Sequence, residues 1–307
     1  MVKNIDFRAN GKLLIAGEYL VLAGAKALAL PLKFGQRIHV TEIPDPVIRW
    51  TSSQPEGIWF FCELDPVEFN VLTSDNPVIA SKLSTMIRTA QKLNPLFRED
   101  RTGCSVNVEA NYPVKWGLGS SSTLISLIAQ WAGVNPFSLF YRVSEGSGYD
   151  IACADHSGMI FYQLEGNRLK ITETKPGSAL QEYTWFVSLG NKQDSRKEVN
   201  SFLNNKKYSS ADIAMISDLS VQICDAPEYD VLCRLIKEHE SILCRILDRE
   251  SLNARFKGFP GIVKSLGAWG GDFAMFVTDL DPDSARDKLR KFGLKDVFPF
   301  HEIKALQ

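Results

Sequence analysis

Residues 115–123 read Lys-Trp-Gly-Leu-Gly-Ser-Ser-Ser-Thr, and the flanking segments show what this stretch connects. Upstream, residues 105–110 alternate between apolar and polar side chains, a pattern that predicts a β-strand. Downstream, the apolar residues of 124–131 recur at helical spacing. The stretch is therefore a glycine-rich loop that joins a strand to the N-terminus of a helix. Gly117 and Gly119 let the backbone approach a ligand closely, and the unpaired N–H groups of the first helical turn bind phosphate oxygens.

The same letters also have a purely structural explanation, in which one of the serines caps a helix that begins near Ser121. Two well-known phosphate loops are excluded. A Walker A loop requires a lysine shortly after the position of Gly119, and none is present. A dinucleotide-binding loop requires a third glycine where Ser122 stands. The stretch alone leaves a phosphate loop and a serine-capped helix both open.

Composition excludes several classes of protein. The chain has 307 residues, of which 45% are hydrophobic and 23% charged, as in a globular protein with one large domain or two ordinary ones. The net charge of −1 provides no basic field for nucleic acid. The six cysteines form no C-x-x-C pair, which suits reduced thiols in a cytoplasm. Neither a signal peptide nor an apolar run long enough to span a bilayer is present, so we expect a cytoplasmic protein without a membrane partner.

A second glycine-containing stretch lies near the N-terminus, where residues 10–19 read Asn-Gly-Lys-Leu-Leu-Ile-Ala-Gly-Glu-Tyr. Residues 13–16 are typical of a buried strand, and residues 27–32 predict another. Lys12 and Glu18 flank the first of these strands. An ion pair between these two side chains is the structural explanation that remains open here.

A carboxylate stands out in residues 144–152, which read Ser-Glu-Gly-Ser-Gly-Tyr-Asp-Ile-Ala. Asp150 follows two glycines and precedes small apolar residues, so it lies at a turn that enters a buried element. A carboxylate in such a place needs a partner or a chemical task. The structural alternative is that Asp150 is the N-cap of the next helix.

Two further loops are of interest. Residues 190–197 read Gly-Asn-Lys-Gln-Asp-Ser-Arg-Lys, a polar loop with three cations for which a solvated basic turn is the structural alternative. Residues 264–272 read Lys-Ser-Leu-Gly-Ala-Trp-Gly-Gly-Asp and run into a predicted strand at 273–278. The glycines predict a flexible loop where the backbone can meet a ligand.

Periodicity predicts the remaining elements. Helices are expected at 78–93, 137–143, 210–224, 229–247 and 283–292, and strands at 36–41, 58–61, 159–162, 183–189 and 297–303. Residues 44–57 are expected to form an irregular hairpin region. No His or Cys residues have metal-binding spacing, and His239 is interpreted as a core residue.

Taken in order, these stretches resemble the motifs of the GHMP kinase superfamily, which includes galactokinase, homoserine kinase, mevalonate kinase and phosphomevalonate kinase. Its middle motif, Pro-x-x-x-Gly-Leu-Gly-Ser-Ser, is matched at 113–121, and its Ser-Gly-x-Asp motif at 147–150. The first motif is matched at Gly11, Lys12, Gly17, Glu18 and Tyr19. The third is matched at Lys264, Gly267, Ala268, Gly270, Gly271 and Asp272. A tyrosine at position 19 is similar to the phosphomevalonate kinase branch. Residues 148–152 also resemble a branch of the family that has the signature Gly-Tyr-Asp-Ile-Ala.

The resemblance covers the whole chain and implies an α/β (α+β) protein with the two-domain GHMP kinase fold. The N-terminal domain would be similar to domain 2 of ribosomal protein S5, and the C-terminal domain would be ferredoxin-like. We place the boundary so that residues 1–176 form the domain with the ATP loop and residues 177–307 form the second domain.

The resemblance also assigns roles to residues. Asp150 would accept or orient the proton of the acceptor, and Lys12 would keep it ionised and stabilise the transferring group. The residues implied to bind ATP are Lys115, Gly117, Leu118, Gly119, Ser120, Ser121 and Ser122, with Ser121 also a ligand of Mg²⁺. The residues implied to bind the acceptor are Glu18, Tyr19, Lys192, Ser195, Arg196, Gly267 and Ala268.

The chain departs from the family pattern in several places. Asn10, Leu266 and Trp269 stand where the family has proline, serine or threonine, and glycine. Mevalonate kinases draw a magnesium-binding glutamate from the segment before the catalytic aspartate, and Leu139 stands at the matching spacing here. Glu145 is the nearby acid and a doubtful substitute.

The resemblance therefore predicts an ATP- and Mg²⁺-dependent kinase that acts on mevalonate or 5-phosphomevalonate. The galactokinase-type Asp-Tyr is missing after the Gly-Glu motif, which argues against a sugar acceptor. Two alternatives remain open, a non-catalytic nucleotide-binding sensor and an enzyme similar to diphosphomevalonate decarboxylase. The expected partner is a small-molecule substrate rather than nucleic acid, and a homodimer is left open.

Overall fold

The computed structural model describes residues 4–166, 168–190, 195–205, 207–267 and 272–305, apart from the side chains of residues 195–197. The chain forms two compact units, which are not successive halves of the sequence. Unit 1 comprises Met1–Gly11, Phe34–Val114 and Leu118–Asp155, and unit 2 comprises Lys12–Lys33, Lys115–Gly117 and His156–Gln307. The boundary predicted at residues 176 and 177 falls inside unit 2, so the compact units and the predicted domains divide the chain differently.

Unit 1 is built on the larger part of an eight-stranded sheet, with the strand order β5-β4-β3-β6-β2 and β1 paired to β2. The strands are β1 (Ile5–Ala16), β2 (Ala27–Ile43), β3 (Ile48–Gln54), β4 (Gly57–Leu64), β5 (Val71–Ser74) and β6 (Gly103–Ala110). Strand β3 runs parallel to β6, whereas β2 runs antiparallel to β6. Strands β1 and β2 are long enough to continue from one unit into the other.

Helices cover one face of this sheet in unit 1. They are α1 (Pro77–Leu93), α2 (Ser120–Ala132), α3 (Pro136–Val143) and α4 (Tyr149–Ala154). Their apolar residues share one buried core with the sheet, in which Trp50 and Ile128 are fully buried. The core therefore fixes the N-termini of α2 and α4 on a common support.

Unit 2 contains a four-stranded antiparallel sheet with the order β10-β11-β9-β12. Its strands are β9 (Thr184–Ser188), β10 (Ile262–Leu266), β11 (Phe273–Val277) and β12 (Val297–Pro299), and the hairpin β7 (Met159–Glu165) and β8 (Arg168–Thr174) pairs with the first part of β2. Its helices are α5 (Ser178–Glu182), α6 (Ser195–Asn205), α7 (Ser210–Asp225), α8 (Tyr229–Leu247), α9 (Pro282–Lys291) and α10 (Phe300–Ile303). Within the described ranges, no helix combines the length and the apolar character needed to cross a lipid bilayer.

The predicted helices α1, α3, α7, α8 and α9 are confirmed to within one residue at each end. Two predictions of strands are wrong. Residues 27–32 and 36–41 belong to the single strand β2, because Gly35 permits a close approach of β1 rather than a break. A Cβ on Gly35 would lie 2.2 Å from the carbonyl oxygen of Ala9. Residues 297–303 are a strand only as far as Pro299, which then becomes the N-cap of α10.

The glycine-containing stretch 264–272 begins inside strand β10, and residues 268–271 of the predicted glycine loop lie outside the described residues. Lys264 lies on strand β10, with its side chain turned into the protein. Residues 44–57 also form a more regular hairpin than expected, in which β3 and β4 pair antiparallel with a single register shift. Prolines 44, 46 and 55 flank β3, and its polar residues 51–54 obscure the strand pattern in the sequence.

All six cysteines are free thiols, and four of them are buried. Burial raises the pKa of Cys62 to about 12 and the pKa values of Cys104 and Cys224 to about 11. The prediction of unpaired thiols is confirmed.

Candidate active site

Helix α2 begins without a side-chain cap. Its N-cap is Gly119, which has φ 96° and therefore lies in the left-handed region that favours glycine. The N-cap residue is thus a glycine and not a serine, so the explanation by a serine N-cap is wrong. The helix begins at Ser120, one residue before the predicted start. Its first N–H groups are thus left for a ligand or water.

The three serines of the loop differ in exposure. Ser121 is exposed, Ser120 is half-buried and Ser122 is buried. The Oγ of Ser122 donates a hydrogen bond of 3.4 Å to Oδ2 of Asp150. Thr123 anchors the turn to strand β2, because its Oγ1 donates a hydrogen bond of 2.7 Å to Oε1 of the buried Gln36. Ser121 is therefore the serine whose hydroxyl faces solvent.

Asp150 lies in the first turn of α4, beside the start of α2. The N-cap of α4 is Gly148, with φ 85°, so the alternative in which Asp150 caps this helix is wrong. The hydroxyl of Tyr141 donates to the carbonyl of Ser147 over 3.0 Å and fixes the preceding loop. The structure thus brings together, within unit 1, the predicted catalytic carboxylate and the predicted phosphate loop.

Other predicted nucleotide and catalytic residues lie in unit 2. Lys12 is half-buried on β1, and its pairing with Asp150 stays a prediction because the two belong to different units. Lys115 is exposed at the end of a 3-10 turn. A Cβ on Gly117 would lie 1.9 Å from Oδ2 of Asp272, so this glycine leaves room for a carboxylate that sequence reasoning assigned no role.

Gly11 controls the position of the phosphate loop in unit 1. A Cβ at this position would lie 2.7 Å from the carbonyl oxygen of Phe34 and 2.8 Å from that of Leu118. Both contacts are with backbone, so Gly11→Ala must displace the strand or the loop. If the loop binds ATP, we expect the KM for ATP to rise roughly tenfold or more, because small displacements in a positioned site cost that much. Steady-state kinetics with varied ATP measures the effect.

Gly158→Ala is the matched control for this substitution. No described heavy atom lies within 4 Å of a Cβ added at Gly158, so the control should leave the KM for ATP unchanged. An unchanged KM in Gly11→Ala would show that the loop does not bind the nucleotide.

Glu18 and Tyr19, predicted to bind the acceptor, lie in a buried turn of unit 2. Glu18 is 2% exposed, and its Oε1 accepts a hydrogen bond from Nζ of Lys264, whose side chain is fully buried. Glu18 is thus paired with Lys264, which lies 246 positions away in the sequence. Tyr19 has φ 61°, and its ring lies 5.5 Å from that of Phe202.

Two more buried titratable groups complete this cluster. Nε2 of His239 accepts a hydrogen bond of 3.1 Å from the N–H of Gly17 and lies 3.5 Å from Oε2 of Glu18. Oε1 of Glu240 lies 3.6 Å from Nζ of Lys264 and 3.9 Å from Nδ1 of His239. The interpretation of His239 as a core residue is confirmed, whereas nothing in the local sequence pointed to Glu240.

Burial dominates the electrostatics of this cluster. It raises the pKa of Glu18 to about 7 and raises the pKa of Glu240, while the charge of Lys264 opposes both shifts. Burial lowers the pKa of His239 well below its ordinary value, and the charge of Lys264 lowers it further. Two carboxyl groups thus share one lysine, beside a neutral imidazole.

Several predicted acceptor residues cannot be placed. Lys192 and Ala268 lie outside the described residues, and Ser195 and Arg196 begin helix α6 with side chains that are likewise outside them. Gly267 has φ 69° at the end of β10. The roles assigned to these residues stay predictions.

A magnesium ion would find few protein ligands here. No group of three or more His, Cys, Asp or Glu side chains in the described part of the chain is arranged to hold a metal. This fits Mg²⁺ bound with a nucleotide, because that ion usually takes one or two protein ligands together with phosphate oxygens and water. The hydroxyl of Ser121 is exposed and free of a capping role, and Glu145 is also exposed.

Comparison with known proteins identifies the fold. A scan against protein-family models found no match, and neither did a search of curated proteins. Solved structures do match over nearly the whole chain. Mevalonate kinase from Methanococcus jannaschii is 14% identical with a TM-score of 0.70, and the alignment covers 99% of each chain.

Two other structures agree with this result. Phosphomevalonate kinase from Streptococcus pneumoniae, in complex with phosphomevalonate and AMPPNP, is 16% identical with a TM-score of 0.71 over 95% of this chain and 98% of that one. Galactokinase from Lactococcus lactis, complexed with galactose, is 13% identical with a TM-score of 0.64 over 99% and 95%. The chain has the two-domain GHMP kinase fold, as its motifs predicted.

Proposed function

We propose that this protein is an ATP-dependent small-molecule kinase that transfers the γ-phosphoryl group to mevalonate or 5-phosphomevalonate. The observation that carries the proposal is the hydrogen bond from Ser122 to Asp150. It holds a carboxylate beside the uncapped N-terminus of α2, where phosphate oxygens bind well. A phosphate site with an adjacent carboxylate is the arrangement that transfer from a nucleotide to an acceptor needs.

The chemistry follows from these residues. Phosphoryl transfer depends on positioning and on neutralising charge more than on covalent assistance. The N–H groups at the start of α2 hold the phosphates. The side chain of Ser121, an exposed residue, would hold a magnesium ion, which would neutralise phosphate charge. Asp150 accepts or orients the proton of an acceptor hydroxyl. Lys12 supplies positive charge to the transferring group.

The nature of the acceptor is inferred from the matching folds and from the charge of the predicted acceptor residues. The matching folds include a mevalonate kinase and a phosphomevalonate kinase bound to phosphomevalonate and AMPPNP. The cationic residues Lys192 and Arg196 suit an acceptor with a carboxylate or phosphate group. A sugar has no such group, and the sequence also lacks the galactokinase-type Asp-Tyr.

A coupled assay of ADP release over mevalonate, 5-phosphomevalonate, homoserine and galactose tests the proposal. Turnover with one of the first two acceptors is the expected result, and it should fall in Asp150→Asn, more strongly with mevalonate than with 5-phosphomevalonate. ATP binding without ADP release for any acceptor would identify a sensor. Release of CO2 from diphosphomevalonate would identify the decarboxylase-type reaction, and turnover of galactose or homoserine alone would overturn the acceptor assignment.

Arg196→Ala tests the anionic end of the acceptor. A hydrogen-bonded charge pair with the acceptor predicts that its KM rises roughly 10- to 100-fold while the KM for ATP stays nearly constant. Arg234→Ala, an exposed arginine on α8, is the matched control and should change neither KM. If Arg196→Ala affects both substrates equally, or neither, the residue does not bind the acceptor.

A further inference from the structure

The buried cluster of titratable groups in unit 2 carries a penalty in free energy, because its charged side chains are removed from water. Its four side chains, from Glu18, His239, Glu240 and Lys264, are at most 3% exposed. Buried ion pairs rarely stabilise a fold more than well-packed apolar side chains would, because desolvation offsets their attraction. Three atoms of the cluster, Glu18 Oε2, His239 Nδ1 and Glu240 Oε1, also have no hydrogen-bond partner among the described residues. Stability alone therefore does not explain why these groups are here.

The cluster holds a short turn through the main chain. The N–H of Gly17 donates to Nε2 of His239, which requires this nitrogen to carry a lone pair. A neutral ring then has its proton on Nδ1, which faces Glu240. On the other side of the turn, Lys264 holds the carboxylate of Glu18 and the carbonyl of Ser265. Two consecutive residues of the turn, Gly17 and Glu18, are thus held by hydrogen bonds to side chains of the cluster.

The turn itself has a strained backbone. Gly17 has φ 95°, and a Cβ there would lie 2.7 Å from both Cα and Cβ of Ala27. Tyr19 has φ 61°, a region that non-glycine residues seldom adopt and that persists where the surroundings enforce it. The buried cluster is the part of the surroundings that grips the two residues before Tyr19. The cluster is therefore placed to hold the backbone of Tyr19 in this conformation.

Tyr19 links the turn to helix α6. Its ring contacts that of Phe202, which is itself buried and stacks on Tyr208 at 5.1 Å. Helix α6 begins with Ser195 and Arg196, two of the residues predicted to bind the acceptor. Contacts within unit 2 run from the cluster through the turn to Phe202, and the helix connects Phe202 to its own first turn.

We propose that the cluster of Glu18, His239, Glu240 and Lys264 positions the acceptor-binding side of the site, through Tyr19 and helix α6. The four residues are positioning residues and do not touch the reacting atoms. The proposal rests on the proposed kinase function, because it takes Tyr19 and the start of α6 as the acceptor side. It predicts that damage to the cluster weakens acceptor binding selectively.

His239→Leu and His239→Gln separate positioning from packing. Leucine leaves the Gly17 N–H without an acceptor, whereas the amide oxygen of glutamine can replace Nε2. In His239→Leu we expect the acceptor KM to rise about tenfold or more while the KM for ATP stays within about twofold. His239→Gln should recover most of the acceptor affinity. His301→Leu, at an exposed histidine on α10, is the matched control and should change neither KM.

Hydrogen exchange provides a readout that does not depend on activity. In His239→Leu, the amides of residues 17–22 and 198–205 should exchange faster than in the wild type, and those of α9 should not. A wild type without turnover on any acceptor would refute the kinase function, while faster exchange in both segments would still support the coupling. Faster exchange at the turn alone, or equal rises in both KM values, or no rescue by His239→Gln, would overturn the positioning role.

Discussion

Asp150→Asn is expected to lower kcat by roughly two to four orders of magnitude with mevalonate as the acceptor. The substitution keeps the shape of the side chain and its contact with Ser122, but it removes the carboxylate that we propose as the base for the acceptor hydroxyl. The Kd for ATP should change little, because the N–H groups at the start of α2 are unaffected. Single-turnover kinetics and a separate nucleotide-binding titration measure the two quantities.

The size of this loss also distinguishes the acceptors. A phosphate group is already an anion at neutral pH and needs little help from a base, so a milder loss is expected with 5-phosphomevalonate. Asp155→Asn makes the same chemical change at the C-terminal end of α4 and should leave kcat within about twofold. Intact turnover in Asp150→Asn with every acceptor would refute the proposed mechanism.

Lys264→Met is expected to have the largest effect on stability. The lysine is fully buried between two carboxyl groups, and removal of one partner of a buried pair costs about 3–5 kcal/mol in the free energy of unfolding. Urea denaturation measures the loss. The control is Lys207→Met, which removes an exposed ion pair with Asp248 and should cost less than about 1 kcal/mol. Equal losses in the two variants would show that burial does not increase the contribution of an ion pair to the free energy of unfolding.

The loss in Lys264→Met should also depend on pH. Burial raises the pKa of Glu18 from its ordinary 4.5 to about 7, so the folded chain holds more protons than the unfolded chain in that window. Stability from this group is present at low pH and is lost as pH rises through the folded pKa. Without Lys264 the carboxyl pKa values rise further, so the deficit against the wild type should be larger at pH 8 than at pH 6. A deficit that grows towards low pH would contradict this account.

The parts of the fold that the sequence predicted best are those set by local periodicity. Helix α8 was predicted with both of its ends, Tyr229 and Leu247, because its apolar residues repeat at helical spacing. Strand β2 was divided in two because Gly35 resembles a turn signal, and its true role depends on how closely β1 approaches. A residue whose role is set by a distant strand cannot be read from its neighbours.

The candidate site shows the same limit. The uncapped start of α2 and the nearby carboxylate of Asp150 lie in motifs with distinctive local spacing, and the structure brings them together in unit 1. The partner of Glu18 was not predicted, because Lys264 is 246 residues away and no periodic pattern connects the two. Glu240 was missed for the same reason. Such long-range electrostatic partners need the tertiary structure.

The buried thiols give each compact unit its own chemical reporter. Cys62 and Cys104 lie in unit 1, and Cys224 lies in unit 2. Alkylating reagents attack the thiolate, and at neutral pH these three groups are both inaccessible and protonated in the folded chain. Alkylation of each cysteine therefore requires that its surroundings open. Mass-spectrometric timing of the modified peptides would show whether one compact unit opens before the other, without any engineered probe.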